Sequence, residues 1–431
     1  MKKVLIITYY WPPAGGSGVQ RWLKFTKYLP ENGWNPIIYT PDSPSFDVKD
    51  EDLLSDIHPE VEVWKSPIWE PYSLKEKIFG KSESSNAGII QDKSSTKNQI
   101  LNWIRGNIFI PDPKVYWVKP SIKFLSKKIQ EEEITHIVST GPPHSMHLIA
   151  LGLKKRLPNL KWIADFRDPW SELDLLEDFK LSQKSRKKYQ ELEREVLESA
   201  DTTLTVSETW VESFKRLGSS NVQLIKNGFD EDDFVEEEKR NDNFVIGHFG
   251  LLNHLRNPKN LWKALNDICE EDPEFKDKLE IRLSGNIDTE VLQSITQNFH
   301  LKNKVVHLEY LSHKEVLNQY YQSSVLLLLL FNSKSGKGNY PGKIFEYFAA
   351  KRSILSFGPD ESDIKNLIEK TKSGVYIPYS EENIKDIKFA KSIGLKENLV
   401  NRLLINEKKL NDIKKSIHKI KKLKDPINVI L

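Results

Sequence analysis

The sequence contains very little cysteine, no long apolar run and no excess of either charge. Cys269 is the single cysteine among 431 residues, which excludes an internal disulfide and a zinc site built from several cysteines. No stretch reaches the roughly 18 apolar residues that a membrane span needs. The 64 basic and 61 acidic residues give a net charge of +3, which is too balanced for a generic nucleic-acid binder. We therefore expect a cytoplasmic protein with no nucleic-acid partner.

The N-terminus does not resemble a signal peptide. Its apolar run, residues 4–8, is followed at once by aromatic residues and two prolines, well before a signal-peptide core would end. This pattern agrees with a cytoplasmic protein.

The chain is long enough for two hydrophobic cores, and its pattern repeats accordingly. Short apolar runs recur, each followed by a loop and an amphipathic stretch, as in buried parallel strands joined by helices. They form two series, the first including residues 4–8, 36–40 and 136–140 and the second including 244–250, 279–285 and 324–331. The sequence therefore predicts an α/β protein with two Rossmann-like, doubly wound domains.

Composition sets the predicted domain boundaries. We expect a first domain over 1–226 with a mobile insertion at about 81–99, an acidic linker over 227–243, a second domain over 244–394 and a basic amphipathic helix over 395–431. The last segment has 10 basic and 4 acidic residues, with leucine and isoleucine at helical spacing. It could close against the protein or contact a membrane surface.

Glycines follow the first apolar run in the stretch PPAGGSGVQR, which contains Gly15 and Gly16. Because glycine lets backbone N–H groups approach a ligand, a strand, a glycine loop and a helix N-terminus can receive a phosphate or a sugar. Arg21 occupies the third glycine position of the dinucleotide fingerprint, which disfavours a nicotinamide enzyme. Simple turn glycines are the alternative.

Two further loops of the first domain carry polar side chains. In STGPPHSMH, His144 opens a helix, where it could bind a hydroxyl or a phosphate oxygen or simply cap the helix; His147 is the weaker candidate. In ADFRDPW, Asp165, Arg167 and Asp168 stand beside a tryptophan. This set suits a sugar, and a salt bridge between Arg167 and one aspartate explains it equally well.

Two loops of the second domain suit a nucleoside diphosphate. In FGLLNHLRNP, Gly250 ends a strand and Arg256 precedes the next helix, where a guanidinium can meet phosphate. In SGKGNYPGKIFEYFAAKR, Lys343 and Glu346 lie in the first turns of a helix that follows a buried strand. The lysine could neutralise phosphate while the glutamate binds both ribose hydroxyls; a surface ion pair is the alternative.

Together these segments resemble the GT-B glycosyltransferases, and within them the large retaining family of bacterial group 1 enzymes, also called family 4. The resemblance covers nearly the whole chain through YYWPPAGGSGVQR, GPPHS, DFRDPW, NGFD, FGLLNHLRNP and GKIFEYFAAKRSILSFGP. It implies two Rossmann-like domains that face each other across a cleft. It also implies transfer of a sugar from a nucleotide sugar, most often a UDP- or GDP-sugar, to a glycan or lipid-linked glycan in envelope or exopolysaccharide synthesis.

The resemblance also implies roles for individual residues. His144, Arg256, Lys343 and Glu346 become catalytic candidates; the donor candidates are Gly15, Gly16, Gly250, Gly285, Tyr310, Gly342 and again Glu346; the acceptor candidates are Trp11, Asp165, Arg167 and Asp168. Two positions depart from the family pattern. Gly338 stands where a second glutamate is common, and Leu251 stands where a second phosphate-binding cation is common.

We expect no metal and no other cofactor, since the sequence has no cluster of histidine and cysteine ligands and cations can stabilise a leaving phosphate instead. Two other functions remain open: a nucleotide-sugar epimerase of the same fold, and a binding subunit that has lost catalysis.

Overall fold

The chain divides into two units, each built around its own parallel β-sheet. The structure, a computed structural model, describes residues 1–46, 48–70, 96–234 and 242–380. The division falls between Lys226 and Asn227. The predicted insertion at 81–99 lies outside the described residues except for 96–99, which begin a helix, and the predicted basic helix at 395–431 lies outside them entirely.

Within the described residues, the first unit contains a sheet of seven parallel strands. The strands are β1 (Lys2–Ile7), β2 (Trp34–Asp42), β3 (Glu62–Pro67), β4 (His136–Gly141), β5 (Lys161–Phe166), β6 (Thr202–Thr205) and β7 (Val222–Leu224). Their order across the sheet is β3-β2-β1-β4-β5-β6-β7. The helices are α1 (Ser17–Tyr28), α2 (Thr96–Asn107), α3 (Val115–Glu131), α4 (Ser145–Arg156), α5 (Leu175–Asp178), α6 (Gln183–Ser199) and α7 (Glu208–Leu217).

The apolar runs of the first unit form strands because both faces of the sheet are covered. Leu5 and Ile7 of β1 belong to one hydrophobic cluster, whereas Val4 and Ile6 belong to another. A strand buried on both faces needs continuous rather than alternating apolar residues, as the sequence shows.

The second unit repeats this plan with six described parallel strands. They are β8 (Phe244–Phe249), β9 (Leu279–Ser284), β10 (Val305–Leu308), β11 (Val325–Leu329), β12 (Ser353–Gly358) and β13 (Gly374–Pro378), in the order β10-β9-β8-β11-β12-β13. The helices are α8 (Lys259–Glu271), α9 (Pro273–Lys278), α10 (Thr289–Thr296), α11 (His313–Gln322), α12 (Lys343–Ala349) and α13 (Asp363–Thr371).

Strand order locates the candidate sites. In each sheet the chain begins in a central strand, β1 or β8, and adds strands on one side until it reaches that edge. It then crosses to the other side of the first strand, where β4 pairs with β1 and β11 pairs with β8. Ligands of open α/β sheets bind beyond the carboxyl ends of the strands at this reversal. The loops after β1 and β4, and those after β8 and β11, therefore define the two places to examine. Among the described residues, no helix combines the length and apolar character needed to cross a membrane.

Candidate functional site

Glycines bring two strand ends of the second unit into close contact. The Gly250 N–H donates to the Ser284 carbonyl at 2.8 Å, and Gly250 has a φ of +142°. At Gly285, with φ +103°, a Cβ atom would lie 2.8 Å from the Gly250 carbonyl oxygen. Only glycine combines these dihedrals with this spacing. The loop after β8 is thus held against the loop after β9.

The side chain of Lys343, the first residue of α12, contacts the end of β8 next to Gly250. Its Nζ donates to the Phe249 carbonyl at 3.2 Å, and a Cβ atom on Gly250 would lie 3.2 Å from it. Burial, followed by the positive charge of Arg256 and opposed by Glu346, lowers the pKa of Lys343 from 10.5 to about 7. The ammonium is therefore poorly compensated by the protein, which is the environment that an added anion would improve.

Arg256 lies in a short 3-10 turn, His254–Arg256, that follows β8. The side chain of Asn253 starts the turn by accepting from the Leu255 N–H at 3.1 Å. The guanidinium carbon of Arg256 lies 3.8 Å from the centre of the Phe331 ring, just beyond β11. This cation–π contact holds the guanidinium against the ring at the end of β11.

Glu346 is held in place by two side chains of α11. His313 Nε2 lies 3.1 Å from one carboxylate oxygen, and the Tyr320 hydroxyl donates to the other at 3.0 Å. Burial and the nearby Glu346 raise the pKa of Tyr320 far above its usual value, so the hydroxyl remains a donor. Each carboxylate oxygen keeps a second lone pair, and Glu346 can therefore still accept from a ligand hydroxyl.

His248 lies behind this site within β8. It is fully buried, and its ring nitrogens face the carbonyls of Leu327 at 3.0 Å and Leu251 at 3.3 Å. Burial and the charge of Lys343 lower the pKa of His248 to about 3. At neutral pH the ring is uncharged and adds nothing to the positive charge of Arg256 and Lys343.

The remaining predicted donor residues of this unit lie on neighbouring loops. Gly342 directly precedes α12, and a Cβ atom there would lie 3.7 Å from the Asn227 side-chain nitrogen. Tyr310 follows β10 and is half exposed. Gly338, at the position of the expected second glutamate, is buried in the 3-10 turn Lys334–Gly338. We call Gly250, Arg256, Gly285, Lys343 and Glu346 the second-sheet site.

In the first unit, the loop after β1 is tied to the loop before residue 51. The Gly15 N–H donates to the Val48 carbonyl at 3.0 Å, and the Asp50 N–H donates to the Pro13 carbonyl at 2.9 Å. Gly16 adopts φ +83° as the residue before α1. Trp11 is almost fully buried in the core, so its ring is placed to pack rather than to cover a sugar.

Arg167 holds three segments together at the carboxyl end of the first sheet. It donates to the carbonyls of Gly141 at 3.0 Å, Pro142 at 3.0 Å and Gly18 at 3.2 Å. Asp168 is half buried beside it and interacts with its charge. Arg167 thereby joins the loop after β4 to the start of α1.

Asp165 forms a buried ion pair with Arg21 rather than with Arg167. Its carboxylate is fully buried and accepts from Arg21 Nη2 at 3.1 Å, Trp22 Nε1 at 2.7 Å and Thr140 Oγ1 at 2.9 Å. Arg21 also donates to the carbonyls of Ile225 and Lys226. The sequence offered a salt bridge between Arg167 and one aspartate as an alternative to sugar binding. The structure has such a salt bridge, but the arginine is Arg21, and Asp165 has no exposed surface.

His144 is buried with both of its ring nitrogens lacking a hydrogen-bond partner within the described residues. It is 6% exposed and stacks on Trp170, with ring centres 5.2 Å apart and planes at 4°. Burial and the charge of Arg167 lower its pKa to about 3, so the ring is neutral at pH 7. A Cβ atom on Gly141 would lie 2.6 Å from His147 Nε2 and 3.1 Å from His144 Nδ1, which explains the glycine there.

No pattern in the sequence indicates Glu193, the residue that positions Trp170 in this stack. Glu193 of α6 is fully buried and accepts from the backbone N–H groups of Trp170 at 2.7 Å and Ser171 at 2.9 Å, and from the Ser171 hydroxyl. In sequence, Glu193 lies in a highly charged helix and looks like a surface residue. His313 and Tyr320 were also missed, because their contact with Glu346 joins distant parts of the chain.

No protein-family model matches this chain. Among curated proteins, gamma-glutamyl phosphate reductase from Hydrogenobaculum sp. is 46% identical over 82 residues, 19% of this chain and 16% of that protein. The match thus spans about a sixth of that relative's length and assigns no activity to the chain.

Solved structures match almost the whole chain. Sucrose-phosphate synthase from Thermosynechococcus elongatus has a TM-score of 0.58 at 13% identity, covering 97% of this chain and 98% of the other. A glycosyltransferase from Rickettsia africae has a TM-score of 0.59 at 13% identity, covering 96% and 98%. This chain has the GT-B fold. A putative UDP-N-acetylglucosamine 2-epimerase from Listeria monocytogenes shares it, with a TM-score of 0.54 at 11% identity over 94% and 91%.

The GT-B architecture with two Rossmann-like domains, predicted from the sequence, is therefore confirmed. At these identities the similarity defines the fold and leaves the reaction open. Within the described residues there is no group of three or more His, Cys, Asp or Glu side chains arranged to hold a metal ion.

We expect Asp165→Ala to destabilise the first unit, because it leaves Arg21 as an unpaired buried charge. The free energy of unfolding should fall by about 3–5 kcal/mol. The double variant Arg21→Met/Asp165→Ala should recover part of this loss. Chemical denaturation followed by circular dichroism measures both effects.

Glu132→Ala is the matched control, because it removes a carboxylate whose ion pair with Lys3 is partly exposed. Its effect on the free energy of unfolding should be much smaller than that of Asp165→Ala, because water screens an exposed ion pair. An Asp165→Ala protein as stable as the Glu132→Ala protein would show that the buried pair does not stabilise this unit.

Proposed function

We propose that the protein is a glycosyltransferase that moves a sugar from a nucleoside-diphosphate sugar to a carbohydrate or lipid-linked acceptor. The observation that supports this most is the second-sheet site. There the cationic side chains of Arg256 and Lys343 lie beyond the end of β8, near the carboxylate of Glu346. This pairing of charges suits a nucleoside diphosphate, with phosphate near the cations and ribose hydroxyls near Glu346.

The chemistry needs stabilisation of the leaving group. The bond between the anomeric carbon and the phosphate oxygen breaks, a bond to the acceptor oxygen forms, and the acceptor proton leaves with the released diphosphate or a neighbouring base. Negative charge grows on the leaving phosphate, where Arg256 and Lys343 would act as preorganised donors. We propose that these cations make a metal ion unnecessary. Retention, and a role in envelope or exopolysaccharide synthesis, form part of the proposal through the family resemblance.

The first unit would hold the acceptor. Arg167 fixes the loop after β4, and beside this loop His144 is buried with no described hydrogen-bond partner for either ring nitrogen. Because its pKa of about 3 keeps it neutral, His144 can bind a hydroxyl without adding charge. Asp165 already accepts from Arg21, Trp22 and Thr140, and Trp11 packs in the core, so this proposal does not rely on either residue.

An epimerase is the second candidate, since the Listeria protein named as one shares the fold. Substrate fate separates the two reactions: a transferase releases nucleoside diphosphate in proportion to the sugar transferred, whereas an epimerase yields a rearranged sugar without an acceptor.

We expect one of the UDP-, GDP-, ADP- and dTDP-sugars to raise the melting temperature of the full chain and then to be consumed. Chromatography of the products should show acceptor-dependent release of the nucleoside diphosphate, unaffected by EDTA. Glu346→Ala should reduce turnover about 10- to 100-fold through loss of a charged hydrogen-bond partner. Equal, negligible turnover in both proteins would favour a binding subunit, and a rearranged sugar without acceptor would favour the epimerase.

We expect nucleoside-diphosphate binding to take up protons. In the free protein Lys343 has a pKa of about 7, well below its ordinary value of 10.5, and a bound anion raises it again. Between these pH values binding therefore adds a proton to Lys343, and affinity falls as the pH rises above 7. Calorimetry in buffers of different ionisation enthalpy measures this uptake.

Lys343→Arg is the informative control, because it keeps the charge but does not titrate in this range. Its binding should show no proton uptake and a flatter pH dependence. The same uptake in wild type and Lys343→Arg would contradict the assignment of Lys343 to the phosphate site.

We expect Gly250→Ala to weaken nucleoside-diphosphate binding about tenfold or more, because the added Cβ atom would lie 3.2 Å from Lys343 Nζ. Gly33→Ala is the matched control: Gly33 also has a positive φ, +82°, yet no atom lies within 4 Å of its Cβ position. Gly33→Ala should cost about 1–2 kcal/mol in stability at its left-handed φ, and Gly250→Ala should cost at least as much. Equal nucleoside-diphosphate affinities in the two variants would contradict a role of Gly250 in the binding site.

A further inference from the structure

Two buried histidines, His144 just before α4 and His147 within it, lie around the same point at the end of β4. A Cβ atom on Gly141 would lie 2.6 Å from His147 Nε2 and 3.1 Å from His144 Nδ1. Neither of these buried nitrogens has a hydrogen-bond partner within the described residues. Because buried polar groups in folded proteins are almost always hydrogen-bonded, the space beside Gly141 is a place where the two rings can share a partner.

Aromatic stacking fixes the planes of the two rings. His147 stacks on Phe166, with ring centres 4.1 Å apart and planes at 8°, and His144 stacks on Trp170 with planes at 4°. Both rings are neutral at pH 7, since burial lowers the pKa of His144 to about 3 and lowers that of His147 well below its usual value. Stacking does not determine which nitrogen of each neutral ring carries the proton.

The hydrogen bonds of Ser139 determine the proton position for His147. The hydroxyl oxygen of Ser139, which is fully buried in β4, lies 2.9 Å from Trp162 Nε1 and 2.8 Å from His147 Nδ1. An indole N–H only donates, so the hydroxyl oxygen accepts from Trp162. If His147 Nδ1 donated as well, the hydroxyl proton would have no described acceptor. The arrangement in which every proton has an acceptor makes the hydroxyl donate to Nδ1 and leaves the imidazole proton of His147 on Nε2.

The proton of His147 then determines that of His144. His147 Nε2–H is a donor beside Gly141, where His144 Nδ1 also lies, and the two rings form no direct hydrogen bond. Two N–H groups at one point oppose each other, whereas an N–H and a bare nitrogen are complementary. A water molecule is the smallest group that accepts from one nitrogen and donates to the other. His144 Nδ1 is then the acceptor, and the proton of His144 lies on Nε2.

A metal ion is the other ligand that two imidazole nitrogens can share. The positive charge of Arg167 acts on both rings and opposes a cation there. Within the described residues, no third His, Cys, Asp or Glu side chain completes a metal-binding group. Water therefore fits this pair of neutral rings better than a cation.

We propose that Ser139 and His147 are positioning residues that hold His144, through one bound water molecule, in the tautomer with its proton on Nε2. His144 is then a hydrogen-bond donor at Nε2 and cannot take a proton there. In the glycosyltransferase proposed above, on which this consequence rests, His144 would bind a lone pair of a substrate oxygen and would not act as the general base. The tautomer itself does not depend on the reaction.

The test is ¹⁵N NMR of the full chain labelled in its histidines, because the shift of an imidazole nitrogen depends strongly on whether it carries a proton. His144→Gln and His147→Gln identify the two sets of signals among those of the 10 histidines. At pH 7 we expect both rings as single Nε2–H tautomers. Ser139→Ala removes the donor to His147 Nδ1 and should convert His147, and with it His144, to a mixture of both tautomers.

Ser356→Ala is the matched control. Ser356 is also fully buried in an inner strand, β12 of the second sheet, and its hydroxyl has no described hydrogen-bond partner. This change removes a buried hydroxyl that contacts no described histidine, so the tautomers of His144 and His147 should stay as in wild type. Circular dichroism and thermal melting show that each variant keeps its fold.

Kinetics separate this proposal from the proposed function. Once a sugar donor and acceptor are turned over, Ser139→Ala should lower kcat about two- to tenfold, as expected for one lost hydrogen bond, and Ser356→Ala should leave it unchanged. The expected tautomers in a protein that transfers no sugar would support the positioning roles and contradict the proposed function.

Unchanged tautomers in a folded Ser139→Ala protein overturn the proposal, even where sugar transfer is measured. An Nδ1–H tautomer of His147 in the wild-type protein overturns it as well. A shift of the ring signals of both His144 and His147 on addition of Zn²⁺ also overturns it and makes the pair a metal site.

Discussion

The second-sheet site depends on two positive side chains held near each other with too little negative charge around them. Lys343 is placed against the end of β8 by the start of α12, and Arg256 is fixed by stacking on Phe331. The packing of the strands and of α12 holds both side chains in place despite this unfavourable environment. Burial and the charge of Arg256 lower the pKa of Lys343 as a result. A bound diphosphate would relieve it, since an anion both restores the charge of the lysine and accepts from the arginine. This unfavourable arrangement is the physical basis on which we propose that the second-sheet site binds an anion.

The carboxyl end of the first sheet differs from that of the second, because its charged side chains have partners within the protein. Its buried charges are compensated within the protein: Asp165 is surrounded by donors from Arg21, Trp22 and Thr140, and Arg167 donates to three carbonyls. The buried groups without a described partner there are neutral, and they include the imidazole of His144 and the indole N–H of Trp170. A neutral site that can exchange hydrogen bonds suits hydroxyl groups better than phosphate. The two sheets therefore have the same topology but different electrostatic character at their carboxyl ends.

Much of this could be predicted from the chain. Apolar runs of five or six residues followed by glycine loops gave the strands and the two parallel sheets, because strands buried on both faces must be continuously apolar. The same rule placed Gly250 and Arg256 in the segment after β8, and Lys343 and Glu346 in the segment after β11. The individual side-chain environments could not be predicted. Asp165 and Arg167 are two residues apart in one motif. Asp165 is fully buried, whereas Arg167 donates to backbone carbonyls of two neighbouring segments. Glu193 looked like a surface residue, and its contact with Trp170 follows from the packing of α6.

The sequence alone determined where strands end and which loops carry charge, because strand periodicity and glycine preference are local properties of the chain. It also determined the predicted fold class, which the comparison with solved structures confirmed. Only the tertiary structure decided the state of each side chain: that Lys343 is poorly compensated, that Glu346 is held by His313 and Tyr320, and that His144 is neutral. The physical reason is that burial and charge depend on neighbours brought together by folding, and these neighbours lie tens to hundreds of residues apart in sequence.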